Sequence, residues 1–218
     1  MNSKETPRRY RQNRFYCCYG KRILDLILTI PALIMLAPVM VAIALLIRDK
    51  IGRPIFFRQQ RPGLHDKPFI LYKFRTMIDV LDDPNKVFPD FARLTSIGRR
   101  LRRLSLDELP ELINVLIGDM SLVGPRPLLM QYLERYTPEQ ARRHEVKPGI
   151  TGRAQVNGRN ALTWEERFKL DVWYVDHVSF WFDVKIQALT VWKVIKREGI
   201  NQPGHATMKE FMGAGHQE

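Results

Sequence analysis

Two adjacent carboxylates, Asp107 and Glu108, stand in the stretch RRLRRLSLDELPELINVLIGDMSLVGPRP, between the cluster Arg99, Arg100, Arg102 and Arg103 and a Gly-Pro-Arg-Pro turn that carries Arg126. Arginine forks match phosphate oxygens, and an ionised carboxylate is a competent nucleophile. The combination points to phosphoryl chemistry at a carboxylate. Ser105-Leu106-Asp107-Glu108 also has the S-x-x-E pattern of a capping box ahead of an apolar run. Pro110 is tolerated only in the first turn of a helix, which puts the expected helix start near Asp107. A helix mouth there favours a bound phosphate and keeps an aspartate ionised. The capping and chemical readings are therefore compatible.

The chain that must position these groups has 218 residues, 45% of them apolar and 27% charged, enough for one domain with a real core. Its formal charge of +12 calls for an anionic partner, whether nucleic acid, anionic lipid or a phosphorylated substrate. Cys17 and Cys18 are adjacent, which disfavours a mutual structural disulfide, and a reducing compartment is expected. Neither these cysteines nor the scattered His65, His144, His177, His205 and His216 form a metal-ligand pattern, and no zinc site is expected.

From Leu26 to Ile47 no charged residue occurs, and the run is long enough to cross a bilayer as one helix. Its flanks argue otherwise. Arg8, Arg9, Arg11, Arg14, Lys21 and Arg22 precede it and Arg48, Lys50, Arg53, Arg58 and Arg61 follow, whereas a single span concentrates basic residues on one side. Pro31 and Pro38 each remove a helical hydrogen bond, and a helix broken at Pro38 that enters and returns would keep both basic flanks against anionic head groups. Thr29 is a hydroxyl near the break able to satisfy a freed carbonyl, and Asp25 is placed to pair with Lys21 or Arg22.

Beyond this segment, PIFFRQQ and KPFILYKFRTM read as two strands of a small hairpin, with Lys73 and Arg75 on one face. Residues 79–93 read as a loop or a short irregular helix. LLMQYLERYTPEQARRHE reads as helix broken by Pro138, and KPGITGRAQVNGRN as a glycine-dense loop whose amides can approach a phosphate or base. TWEERFKLDVWYVDH reads as a helix, and Val184, Ala188, Val191, Trp192 and Ile195 recur at helical spacing as a second, amphipathic one. Trp173, Tyr174, Phe180, Trp181 and Phe182 suit either a membrane interface or a core. The expected fold is α+β and mostly helical: an N-terminal re-entrant membrane helix-break-helix, a small β-hairpin and amphipathic interface helices. The expected segments are a basic stretch at 1–22, the membrane helix at 23–50, a catalytic unit at 51–200 and a tail at 201–218.

Taken together, KRILDLIL with its proline-containing apolar helix, RPIFFRQQRPG, YKFRTM, LRRLSLDELPELINVLIGDMSLVGPRPLL, RHEVKPGITGRAQVNGRN and LDVWYVDHVSF resemble the small monotopic phosphoglycosyl transferases, the bacterial sugar-transferase type. The likeness covers nearly the whole chain, and the tail GHATMKEFMG is similar to members that initiate protein-glycosylation glycans with a diacetamido sugar. One departure is Ala37-Pro38, where the family often has Ser-Pro. The resemblance implies a ping-pong transfer of a phosphosugar from a UDP-sugar to undecaprenyl phosphate, releasing UMP, at the cytoplasmic face of a bacterial inner membrane. It makes Asp107 the attacking group and an Mg²⁺ ligand, and Glu108 an assistant. Arg102 and Arg126, and less strongly Lys73 and Arg75, would meet phosphate oxygens. Gln155, Asn157 and Arg159 would close over the nucleotide or sugar. The competing expectation is a membrane-tethered nucleic-acid-binding protein, but no helix-turn-helix or aromatic-basic signature accompanies the arginines, and Asp107 and Glu108 would repel a phosphate backbone. No nucleic acid partner is expected.

Overall fold

The computed structural model describes residues 15–78, 93–158, 161–196 and 210–213, which leaves the expected loop at 79–93 and Arg159 outside the described residues, except for Arg93. After a π-helical turn at Tyr16–Gly20, helix α1 runs from Lys21–Lys50. It is apolar on all sides and buries only a stripe spaced four residues apart, Lys21, Asp25 and Thr29 near its start and Ile43 and Ile47 near its end. Between them it is bare: Ile34 is 71% and Met35 76% exposed. An exposed apolar surface of this size has no place in water. The helix is long and apolar enough to cross a membrane.

Helical geometry continues through Pro31 and Pro38, so the expected break at Pro38 does not divide α1 into two helices. Each proline deletes one backbone hydrogen bond, a cost the turns on either side can absorb. Thr29 does not serve the broken ladder either, because its buried hydroxyl has no hydrogen-bond partner among the described residues.

Both ends of α1 are fastened to the same folded unit. The Lys21 ammonium lies 2.6 Å from Asp183 and donates to the Tyr174 hydroxyl at 3.0 Å, while Tyr16 and Tyr174 each donate to Asp183 at 2.7 Å. Arg22 donates to the carbonyls of Val115 and Leu116. Asp25 pairs with neither Lys21 nor Arg22 as expected; it accepts from Ser121 Oγ and Leu122 N, both at 3.0 Å. At the far end Ile43 and Ile47 join Phe74 and Leu101 in one apolar cluster. Lys21→Met strands the fully buried Asp183 without its cation. The expected cost is about 3–5 kcal/mol, read as a lowered unfolding midpoint in detergent.

Strands β1, Phe56–Pro62, and β2, Pro68–Phe74, form the expected antiparallel hairpin, in register from Phe56 opposite Phe74 to Pro62 opposite Pro68. Helix α2, Ser96–Arg103, is capped by Thr95, whose side chain accepts from Gly98 N. Helix α3, Glu111–Ile117, is pinned to β2 by the buried Asn114, which donates to Ile70 O at 2.7 Å and accepts from Tyr72 N at 3.1 Å.

A second sheet went unrecognised in the sequence: β3, Ser121–Val123, runs parallel to β4, Gly149–Thr151, where a loop is expected. Three glycines make it possible. A Cβ on Gly152 would lie 2.1 Å from Gly124 O, and one on Gly149 would lie 2.0 Å from Gly124 N, so the two backbones cross where no side chain fits. Around Pro138 the chain forms short pieces, a 3-10 turn at Met130–Arg135, helix α4 at Pro138–Ala141 and another 3-10 turn at Arg142–Glu145. Helix α5, Arg153–Asn157, follows β4. The two expected long helices are α6, Trp164–Asp176, started by a Thr163/Glu166 capping box, and α7, Phe180–Lys196. Tyr174 on α6 is core, 1% exposed, whereas Trp181 on α7 is 78% exposed. The tail returns to the body through Phe211, buried against Leu128, Tyr132 and Phe168.

Candidate active site

Asp107 and Glu108 occupy a 3-10 turn, Leu106–Glu108, between α2 and α3. The expected capping box does not form. Ser105 adopts a left-handed conformation, φ 55°, and its side chain caps nothing, because the Glu108 carboxylate is drawn away by full positive charges instead of a backbone N–H. The helix also begins later than expected, at Glu111 with Pro110 as its cap, so Asp107 sits four residues ahead of a helix of only seven.

The two acids differ in what they touch. Glu108 receives both terminal nitrogens of Arg126 and the Lys73 ammonium, the latter at 2.8 Å. Asp107, 8% exposed, makes no hydrogen bond or ion pair among the described residues. For Glu108, burial pushes the carboxyl pKa up, but Arg126 and Lys73 outweigh it and hold the carboxyl well below the usual range. For Asp107, burial and the adjacent Glu108 charge push the carboxyl pKa up, against the pull of Lys73, Arg102 and Arg126. The helix-mouth stabilisation expected for Asp107 is thus outweighed by burial. What remains is a carboxylate with free lone pairs, poorly solvated and beside three cations.

The three cations come from three parts of the chain. Lys73 reaches in from the end of β2. Arg102, on α2, donates to Thr76 Oγ1 at 3.0 Å while its charge acts on Asp107. Arg126 follows β3 in a turn held by Gly149 N donating to Pro125 O at 3.0 Å and by Arg143 donating to Arg126 O at 2.7 Å. Arg143 is itself locked, 1% exposed and 2.8 Å from Asp171.

Not every expected residue is seen bonded to the acidic pair. Arg75 lies just beyond β2 and donates to the carbonyls of Arg53 at 2.7 Å and Met77 at 3.0 Å. Asn157 is exposed and bonds its own helix at Arg153 O. The Gln155 amide is buried with no hydrogen-bond partner among the described residues, and it makes no bond to the acidic pair. Two participants went unnoticed in the sequence. Glu111 lies 3.0 Å from Lys73 with its side chain 2% exposed, and burial pushes its carboxyl up to about 7. Its spacing of three from Glu108 lets one cation, Lys73, meet both, a signal hidden by its resemblance to an ordinary first-turn acid. Arg143 carried no signal distinguishing it from Arg142. Among the described residues no group of three or more His, Cys, Asp and Glu is placed to hold a metal ion. Mg²⁺, however, binds through one or two carboxylates, substrate phosphates and retained waters, and a single unengaged carboxylate such as Asp107 fits that need.

Known proteins resemble this chain over most of its length. The family described as bacterial sugar transferase matches residues 16–197. A sugar transferase of Bacillus subtilis, described as uncharacterised and named EpsL, is 58% identical over 195 residues, covering 89% of this chain and 96% of that protein. The UDP-glucose:undecaprenyl-phosphate glucose-1-phosphate transferase of Escherichia coli is 42% identical over 79% of this chain and 39% of its own length. The undecaprenyl-phosphate galactose phosphotransferase of Salmonella typhimurium is 41% identical over 82% of this chain and 41% of its own. The chain thus spans about two fifths of these last two relatives. None of these names supports the nucleic-acid reading.

Proposed function

Because the chain belongs to the bacterial sugar transferase family, we propose that it transfers a phosphosugar from a UDP-sugar to undecaprenyl phosphate and releases UMP. The observation that carries this reading is the division of labour between two adjacent acids. Glu108 holds Lys73 and Arg126, while Asp107 keeps its lone pairs free in their field. In the proposed ping-pong route, an Asp107 oxygen attacks the phosphorus that bears the sugar, and the bond from that phosphorus to the UMP oxygen breaks. UMP leaves with the bond electrons. An oxygen of undecaprenyl phosphate then attacks the same phosphorus, the acyl-phosphate bond breaks, and Asp107 is regenerated as carboxylate.

Phosphoryl transfer depends on positioning and charge stabilisation. Arg102 and Arg126, whose charges both act on Asp107, are the proposed ligands of the phosphate oxygens. Glu108, held ionised, fixes the Arg126 fork and the Lys73 ammonium. Asp107 is also the residue that would hold Mg²⁺, which when bound neutralises negative charge on the diphosphate.

The proposed topology is monotopic and re-entrant, on the cytoplasmic face, because both ends of α1 dock on the same unit while its middle is bare; the return would come from a bend at the prolines within one continuous helix and not from a break between two. A polyprenol phosphate stays at the head-group layer, so an anchor that holds Asp107 at that depth lowers the entropic cost of meeting it. A diacetamido sugar is the proposed donor, on the likeness of the tail. UMP release should be measured with UDP-glucose, UDP-galactose, UDP-N-acetylglucosamine and a UDP-diacetamido sugar, each with undecaprenyl phosphate. Release with none of them sinks the reaction. For the topology, single cysteines at each end of α1 are introduced into a chain lacking Cys17 and Cys18. Labelling of either from the periplasm rules re-entrance out.

A further inference from the structure

We propose that Glu111 is a positioning residue for the Asp107–Glu108 pair, acting through the Lys73 ammonium; the role rests on the phosphoryl-transfer reading given above. Lys73 Nζ stands 2.8 Å from Glu108 Oε1 and 3.0 Å from Glu111 Oε1, so one cation bridges two carboxyl groups. A lysine is a point charge on a flexible four-carbon stem, and its position is set by the acceptors that surround it. Glu111 is a rigid acceptor. Its side chain is 2% exposed, and the helix that carries it is pinned to β2, the strand of Lys73, by both ends of the Asn114 amide.

The consequence concerns Asp107. The Lys73 charge acts on Asp107 as well, although no bond joins them. Arg126 is committed to Glu108 through both terminal nitrogens, so Lys73 is the cation with latitude to move. Released from Glu111, it has Asp107 as an alternative anion, and an ammonium bonded there would occupy the lone pairs that must attack phosphorus. Glu111 keeps Lys73 shared with Glu108 and away from the nucleophile. That task needs an acceptor oxygen at the right reach and does not need a negative charge.

Reach and charge can be separated in the full-length protein. Glu111→Gln keeps the reach and removes the charge, whereas Glu111→Asp keeps the charge and withdraws the oxygen by one methylene. UMP release is followed for both with undecaprenyl phosphate and the UDP-sugar that serves the unaltered chain best. The expected result is that Glu111→Gln stays within about threefold of the unaltered kcat, while Glu111→Asp loses roughly tenfold to a hundredfold in kcat with KM for the UDP-sugar nearly unchanged. Equal activity of the two variants overturns the proposal, as does a Glu111→Asp defect carried by KM or by loss of the folded protein in a thermal melt. Failure of the unaltered chain to release UMP from any donor instead overturns the reaction reading, and this role with it.

Discussion

Asp107→Asn is expected to lower UMP release by at least about 10³-fold and to abolish the phosphosugar adduct seen as a mass increment on the intact protein. The amide is the same size as the carboxyl but has no anionic lone pair to offer phosphorus. The same substitution should leave the fold intact or strengthen it. Asp107 makes no hydrogen bond or ion pair among the described residues, and burial with the adjacent Glu108 raises its pKa. A carboxyl whose folded pKa lies above its unfolded one binds more protons when folded across that window. Stability is then fully present at low pH and declines as pH rises through the folded value. The Asn variant escapes that decline, so its unfolding midpoint should exceed that of the unaltered chain at pH 8 and match it below about pH 4. Near-normal UMP release by the variant would refute the nucleophile. A midpoint that falls at pH 8 would refute the account of its environment.

Such a trade of stability for reactivity is what makes the site legible from residue types alone. Two acids among many arginines imply phosphate chemistry before any geometry is known, and the hairpin and the long helices follow from alternation and helical spacing. What stayed hidden depends on partners far apart in the chain. Asp25 looked local to Lys21 and Arg22, yet its hydrogen bonds go to Ser121 and Leu122, and Lys21 goes instead to Asp183. The Ser105 box failed because a carboxylate in reach of Lys73 and Arg126 gains more from them than from one N–H. Strands β3 and β4 have three residues each, too few for a period to show, and their pairing depends on a glycine contact between positions 124 and 149 that only the folded backbone reveals.

The parallel pair also explains why Arg126 should be the hardest of the cations to replace. Its turn leaves β3 beside the glycine crossing, is tied to β4 through Gly149 and Pro125, and is braced from behind by the buried Arg143–Asp171 pair. The guanidinium, a third exposed, presents one edge to Glu108 and keeps the rest of its fork for an incoming anion. Arg126→Met removes both functions, leaving Glu108 with Lys73 alone and the diphosphate without its fork. Both kcat and KM for the UDP-sugar should suffer, with kcat/KM down roughly 10²–10³-fold. Arg126→Lys should recover little of this, because one ammonium cannot serve a carboxylate and a phosphate in two fixed directions. If KM for the UDP-sugar is untouched in the Met variant, Arg126 acts only on Glu108, and the phosphate contact must be assigned to Arg102.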